Sequence, residues 1–256
     1  MAPILSACLV LYRCGDEVDV TLRCIQNADL EVSVFLSDNS PEELTAERLK
    51  WAFPGVILRS NEKNIGLSCA HNAVIPDLQS KYHLMIDPGM IFDPSLLRRM
   101  VSYMEAHPNI AVLSPAFFSE DGDELFLPRR QMSVRYLLGR MLSGLGGIFL
   151  RWEREYTFAD QNVDMPTPVD SAPVSFILIR TDIFCRLEGF DPKYYRTQED
   201  ADLCRRILEQ RLGSVVYHPG MKVTCRRKTD TGRLFPERMH RFRTVLRYFM
   251  KWGITW

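Results

Sequence analysis

Apolar residues first gather into an unbroken run at 4–11, ILSACLVL, whose length and density predict a strand buried on both faces. Residues 18–25 carry apolar positions at helical spacing, and 32–36 form a second short apolar run that predicts the next strand. The same alternation continues down the chain. A helix is predicted at 41–51, a short strand at 56–58, a helix from about 67 to 78 and a strand at 82–86. A helix at 94–106 and a strand at 110–113 follow. Strands that alternate with helices in this way predict a mostly parallel, doubly wound α/β sheet. Glu120-Asp121-Gly122-Asp123 predicts a hairpin turn, and 132–152 reads as one apolar amphipathic segment interrupted by Arg135 and Arg140. A strand at 174–179, a short helix at 181–186, a helix from 199 and a strand at 214–217 lead to a last helix at 237–252.

Two of the predicted strands end in acids. Ser37-Asp38-Asn39-Ser40-Pro41 closes the second, and Asp87-Pro88-Gly89 closes the fourth. Each acid alone is explained by turn formation. Two on the carboxyl edge of one doubly wound sheet, where ligands bind, point to a site. No glycine-rich dinucleotide fingerprint and no phosphate-cradling P-loop is present, which counts against a nicotinamide enzyme and a nucleotide hydrolase.

A third acidic feature lies at 189–206, GFDPKYYRTQEDADLCRR. Leu203, Cys204, Ile207 and Leu208 recur at helical spacing, so Glu199, Asp200 and Asp202 fall in the first turn of a helix at the edge of the fold. Thr197 stands where its hydroxyl would cap that helix, with Asp200 three residues on in the manner of a capping box, and Asp202 is placed to pair with Arg206. A carboxylate fixed at a loop–helix junction also suits a general base. The local pattern leaves both readings open.

Composition narrows the class. With 46% hydrophobic and 25% charged residues over 256 positions, the chain has the make-up of one soluble α/β domain or two small ones. A formal net charge of +0 gives no overall attraction to nucleic acid. Seven cysteines without a CxxC predict buried free thiols and a cytoplasmic setting, and the five histidines show no metal-ligand spacing. Neither a signal peptide nor a bilayer-spanning run is predicted. On the last helix, Phe242, Val245, Leu246 and Phe249 make an apolar stripe opposite Arg243, Arg247 and Lys251. That pattern suits either an anionic membrane surface or docking on the domain itself.

The ordered set of these pieces resembles the family-2 glycosyltransferases of GT-A fold, in particular the rhamnosyltransferase-like bacterial members that build O-antigens and other surface polysaccharides. The resemblance spans nearly the whole chain: Tyr12 after the first strand; Ser37-Asp38-Asn39-Ser40; Asn64-Ile65-Gly66 with Asn72; Asp87-Pro88-Gly89; residues 176–180; Gly189-Phe190-Asp191; and Glu199-Asp200-Ala201-Asp202-Leu203. Arg226-Arg227 and the final helix extend it. It implies a GT-A domain at 1–232, with a nucleotide-binding half (1–115) and an acceptor-binding half (116–232), followed by a C-terminal basic amphipathic helix at 233–256. It further implies that Tyr12, Asp38, Asn64, Gly66, Asn72 and Asp87 bind a nucleotide-diphosphate sugar, with dTDP-rhamnose the best match and uridine-diphosphate sugars the alternative.

Asp200 is implied as the general base of an inverting transfer. Glu199 is implied in the catalytic pair with Asp200, Glu199 and Asp202 as shaping the acceptor side or the helix start, and Asp202, Arg226 and Arg227 on the acceptor and diphosphate side. A divalent cation, Mg²⁺ or Mn²⁺, is implied at Asp87. Gly89 stands where the family carries a second acid, so the cation either rests on Asp87 with phosphates and water or is dispensed with. Arg13, Val174 and Cys225 also depart from the family pattern. The implied acceptor is a glycan or lipid-linked glycan, with membrane contact through 132–152 and 237–256 and a place on the inner face of the plasma membrane. A non-catalytic nucleotide-sugar-binding relative is the competing reading. The helix dipole should lower the pKa of Asp200 while burial and the neighbouring acids raise it, for a modest net effect.

Overall fold

The computed structural model describes residues 3–43, 45–125, 128–161, 163–194, 197–226 and 235–256. The first apolar run forms β1 (Leu5–Leu11), buried at all seven positions, as a strand covered on both faces must be. Then come α1 (Glu17–Gln26), which buries Val18, Leu22 and Ile25, β2 (Val32–Asp38), α2 (Thr45–Ala52) and β3 (Ile57–Ser60). A short α3 (Leu67–Asn72) leads to β4 (Tyr82–Ile86), β5 (Met90–Phe92), α4 (Leu96–Ala106) and β6 (Ile110–Ser119).

The second half holds β7 (Glu124–Leu125), α5 (Val134–Leu142), α6 (Gly147–Tyr156) and β8 (Thr167–Pro168). These are followed by β9 (Phe176–Arg180), α7 (Thr181–Arg186), α8 (Glu199–Glu209), β10 (Ser214–Cys225) and α9 (Phe235–Trp252).

One sheet runs in the order β3-β2-β1-β4-β9-β6-β10-β5. The pairs β3–β2, β2–β1, β1–β4 and β6–β10 are parallel, as the alternating pattern predicts. β9 runs antiparallel to both β4 and β6, so the sheet is mixed. The expected division at residue 115 falls inside β6, and β9 of the second half lies between two strands of the first; both halves share the sheet. β9 shows how its faces divide. Phe176 and Leu178 pack with Leu9, Leu22 and Met100, whereas Ile177 and Ile179 pack with Phe184, Leu203 and Ile207.

Several expectations are corrected. The segment at 132–152 is two helices, α5 and α6, joined by a short 3-10 turn with Gly146 and Gly147 at positive φ. Gly139 lets them touch: a Cβ there would lie 2.8 Å from the Glu153 nitrogen. β6 and β10 run well past their predicted ends, and β5 has no counterpart in the apolar pattern. The inward face of α9 is turned from the expected stripe. Val245, Tyr248, Phe249 and Trp252 pack on Tyr136, Tyr156 and Tyr194, while Leu246 is exposed. All seven cysteines are free thiols, but only Cys8 and Cys204 are buried; the other five are part-buried, where the sequence predicts buried thiols.

Candidate active site

The parallel register sets the donor edge. Leu11 lies beside Asp38 at the carboxyl ends of β1 and β2, and Cys8 beside Met85 on β4 carries Asp87 to the same edge. Asp38 is buried, and its Oδ1 accepts the Ser40 N–H at 2.9 Å. Burial raises its pKa, the Ser40 N–H lowers it and the charge of Glu42 adds to the rise. Tyr12 is exposed at the mouth of β1, and the next residue, Arg13, adopts φ +50° and donates its N–H to Ser40 Oγ. Asn64 Oδ1 accepts the Gly66 N–H at 2.9 Å, shaping the turn into α3, where Gly66 has φ +85°.

Asn72, expected at the donor, is committed elsewhere. Its amide oxygen accepts the Phe190 N–H at 2.8 Å and its amide nitrogen donates to the Phe190 carbonyl at 2.7 Å. It therefore clamps the Gly189-Phe190-Asp191 turn, where any Cβ on Gly189 would lie 2.1 Å from the Asn72 oxygen. Ser68 Oγ, also on α3, donates to the Tyr194 carbonyl at 2.5 Å.

The acidic stretch divides by depth. Gln198, with φ +69°, precedes α8 and no side chain caps the helix; the expected cap Thr197 instead sits 2.6 Å from Thr244 Oγ1 on α9. Glu199 is buried rather than at the edge of the fold. Asp202 is fully buried. Arg206 donates to its Oδ2 at 2.9 Å, while Trp252 Nε1 and Lys251 Nζ meet Oδ1 at 2.9 and 2.8 Å. Asp200 alone of the three is part-buried. Its Oδ1 accepts the Ala201 N–H at 2.7 Å. Burial raises its pKa, and the N–H groups of Ala201 and Asp200 and the charge of Arg129 pull it back without cancelling the rise. Burial thus outweighs the helix start. A carboxylate so placed can take a proton closer to neutral pH than an ordinary Asp.

A short segment connects the two acidic places. The Asp87 N–H donates to the Ser175 carbonyl at 2.9 Å, and the Ala172 backbone bonds the Cys204 thiol one turn into α8. Arg129 joins this segment through paired backbone hydrogen bonds with Ser171. Sequence reasoning missed Arg129, because nothing in Pro128-Arg129-Arg130 shows that one guanidinium acts on an acid 71 positions away.

The Glycosyl transferase family 2 profile matches residues 6–185, from β1 through most of α7. The chain belongs to glycosyl transferase family 2. Among its relatives is the N-acetylglucosaminyl-diphospho-decaprenol L-rhamnosyltransferase of Mycobacterium tuberculosis, matched in two strains. Identity is 26% over 247 residues, covering 91% of this chain and 79% of the relative. Among solved structures, the fold is similar to the mannosyltransferase PcManGT of Pyrobaculum calidifontis in complex with GDP-Man and Mn²⁺, with TM-score 0.65 and 14% identity over 98% of this chain and 64% of that one. It is also similar to GalNAc-T7 with UDP, GalNAc and Mn²⁺, with TM-score 0.64 and 14% identity over 92% of this chain and 45% of that one. The fold of this glycosyltransferase is therefore GT-A.

Whether the family-2 chain can hold a cation by itself is tested at Gly89. It adopts φ +88°, and a Cβ would lie 2.8 Å from the Arg226 carbonyl. Its N–H meets Glu17 O and Thr21 Oγ1 at 3.1 and 2.9 Å, and its carbonyl accepts the Arg226 N–H at 2.8 Å. The position is built for glycine, so no side-chain oxygen can come from it. No group of three His, Cys, Asp or Glu side chains among the described residues could hold a metal ion. The residues fit a cation only as a partner of a diphosphate, with Asp87, just after β4, as a single carboxylate toward it. Arg226 is exposed with Glu120 3.7 Å away, and Arg227 lies outside the described residues. Among the described residues no helix is long and apolar enough to cross a membrane.

Proposed function

We infer that this glycosyltransferase moves rhamnose from dTDP-rhamnose onto a lipid-linked glycan in cell-surface polysaccharide synthesis, with inversion at the anomeric carbon. The observation that carries the reading is Asp200: a part-buried carboxyl of raised pKa, at a helix start joined through residues 171–175 to the donor edge. Asp200 takes the proton of the acceptor hydroxyl as that oxygen bonds the anomeric carbon from the face opposite the diphosphate. The bond to the diphosphate breaks on the other side, and its electron pair leaves with the phosphate oxygen. Asp38 accepts a hydrogen bond from the base, and Tyr12, Asn64 and Gly66 shape the donor mouth. Mg²⁺ or Mn²⁺ at Asp87 would neutralise charge on the diphosphate. The 26%-identical relative, named for a rhamnosyl transfer to a diphospho-decaprenol acceptor, supports both sugar and acceptor class.

The membrane part of the reading rests on exposed apolar residues beside arginines. Met141, Leu145 and Ile148 project from the α5–α6 hairpin next to Arg140, and Leu246 and Met250 from α9 next to Arg243 and Arg247. These faces rest on the anionic inner surface of the plasma membrane. Replacing Met141, Leu145 and Ile148 by Ser should reduce flotation with anionic liposomes; unchanged recovery removes the hairpin from the membrane.

The central test is Asp200→Asn. Transfer should fall about 10²- to 10⁴-fold, while stabilisation by the donor nucleotide in a thermal-shift screen persists. Near-normal transfer would remove Asp200 from the role of base. The same screen, run over dTDP, UDP, GDP and their sugars with and without Mg²⁺ or Mn²⁺, separates the thymidine reading from the uridine one. Nucleotide binding with no transfer to any acceptor would favour a non-catalytic relative.

A further inference from the structure

Asp200 and the α5–α6 hairpin supply three kinds of group: a carboxylate, arginines and exposed apolar side chains. The charge of Asp200 acts on both Arg129 and Tyr156. Arg129 is fixed from below by its backbone bridge to Ser171. Its neighbour Arg130 is turned away to the Glu155 carbonyl at 2.9 Å and the Phe158 ring. Arg140 comes to the same Tyr156 ring from α5: its guanidinium carbon is 5.7 Å from the ring centroid and that of Arg129 6.0 Å. The close contact of α5 with α6 at Gly139 holds Arg140 there. Met141, next to Arg140 in sequence, and Leu145 and Ile148 of the same hairpin are exposed. Arg129 also donates to the Pro128 carbonyl at 2.7 Å and Arg140 hydrogen-bonds the Tyr156 hydroxyl, yet the two positive charges still act on each other. A dianionic group that both reach would offset that repulsion with charge-assisted hydrogen bonds.

We propose that Arg129 and Arg140, gathered at Tyr156, bind the diphosphate of a polyprenyl-diphosphate-linked sugar acceptor, whose hydroxyl then meets Asp200 and whose tail leaves over Met141, Leu145 and Ile148. In this assignment the sugar, diphosphate and hydrocarbon of such a molecule meet Asp200, the two arginines and the exposed apolar residues in turn. This anion site is proposed as additional to that of the donor diphosphate, and the titration with the donor site saturated distinguishes the two. The assignment rests on the reading of the chain as a transferase to a lipid-linked acceptor, and it adds the residues that recognise the acceptor's charged link.

The test is calorimetric titration of the full chain with farnesyl diphosphate and with farnesyl monophosphate, the donor site being saturated by the nucleoside diphosphate that gives the largest thermal shift. Farnesyl diphosphate should bind more tightly than the monophosphate. Arg140→Gln, on an exposed position, should weaken it about 10-fold, and Arg129→Gln about 10- to 100-fold, as expected for losing charge-assisted hydrogen bonds. The nucleotide thermal shift should be unchanged in both. Equal affinity of Arg140→Gln and the native chain, no preference for the diphosphate, or no binding once nucleotide is saturating would each overturn the assignment and leave the transferase reading standing. A native chain that no nucleoside diphosphate stabilises would instead overturn the transferase reading, and the acceptor site with it.

Discussion

At position 89 the loss of an acid and the shape of the backbone are one fact. Gly89 carries φ +88°, and the space its Cβ would need is taken by the Arg226 carbonyl. Gly89→Asp should therefore restore no cation dependence. It should lower stability by about 1–3 kcal/mol, the range for a side chain forced into a sparsely populated backbone region. Thermal unfolding with and without Mn²⁺ checks both; a stable variant that binds Mn²⁺ more tightly would refute this account. The sequence showed the missing acid, but not that φ and a carbonyl 137 residues away exclude its return. Asp200 follows the same logic in electrostatics. Burial raises its pKa, so the acidic limb of kcat/KM should lie above the usual carboxylate value of about 4, with activity lost as pH falls through it. The positive charge of Arg129 favours the ionised form. In Arg129→Gln that limb should move to higher pH, and a limb that stays put or moves down would show that Arg129 does not act on the base.

Among the elements, the described residues between Leu187 and Gln198 depend on their neighbours rather than on their own chemistry. α3 holds them through Asn72 and Ser68, and Arg206 of α8 donates to the Leu187 and Gly189 carbonyls at 2.9 and 2.7 Å. α9 holds the other side: Lys251 reaches Asp191 at 2.7 Å, Arg247 donates to the Lys193 carbonyl, and Thr244 meets Thr197. Asn72 and Asp202 therefore hold this loop and its flanking helices in place, and Thr197, paired with Thr244, does not cap α8. Helical periodicity located α8 and α9 correctly. It did not fix which residues of α9 face inward, because Lys251 is drawn in by two buried or half-buried carboxylates. Asp202→Asn should leave Lys251 and Arg206 without their shared counter-charge, at a cost of about 3 kcal/mol, which lowers Tm by roughly 6–12 °C for a domain of this size. Lost transfer at an unchanged Tm would instead return Asp202 to the acceptor side.

On the scale of the whole molecule, the sheet joins both halves through β9, and that junction buries titratable groups the chemistry does not use. The parallel half was legible because each of its strands is an apolar run closed by a polar turn. The position of β9 was legible too, but its reversal was not, because an apolar run carries no direction. His83 on β4 is fully buried, with Nδ1 2.8 Å from Ser6 Oγ and its ring 5.8 Å from that of Phe184. His71 on α3 is buried 5.7 Å from the Phe190 ring. Burial holds them well below the ordinary imidazole value, at about 3 for His83, where the charge of His71 adds a little, and at about 4 for His71. In the unfolded chain both take up a proton near pH 6.5. Between those limits the unfolded state binds more protons, so stability falls as pH is lowered. It is fully retained above about 6.5. It declines by about 1.4 kcal/mol per pH unit for each histidine, until His71 itself titrates near 4. Urea unfolding followed from pH 7.5 to 4.5 should show this slope before ordinary carboxylates begin to titrate. His71→Gln should remove about one proton's share of it, whatever the variant's absolute stability. A slope indifferent to that substitution would mean that the acid sensitivity of the fold arises elsewhere than under the α3 clamp.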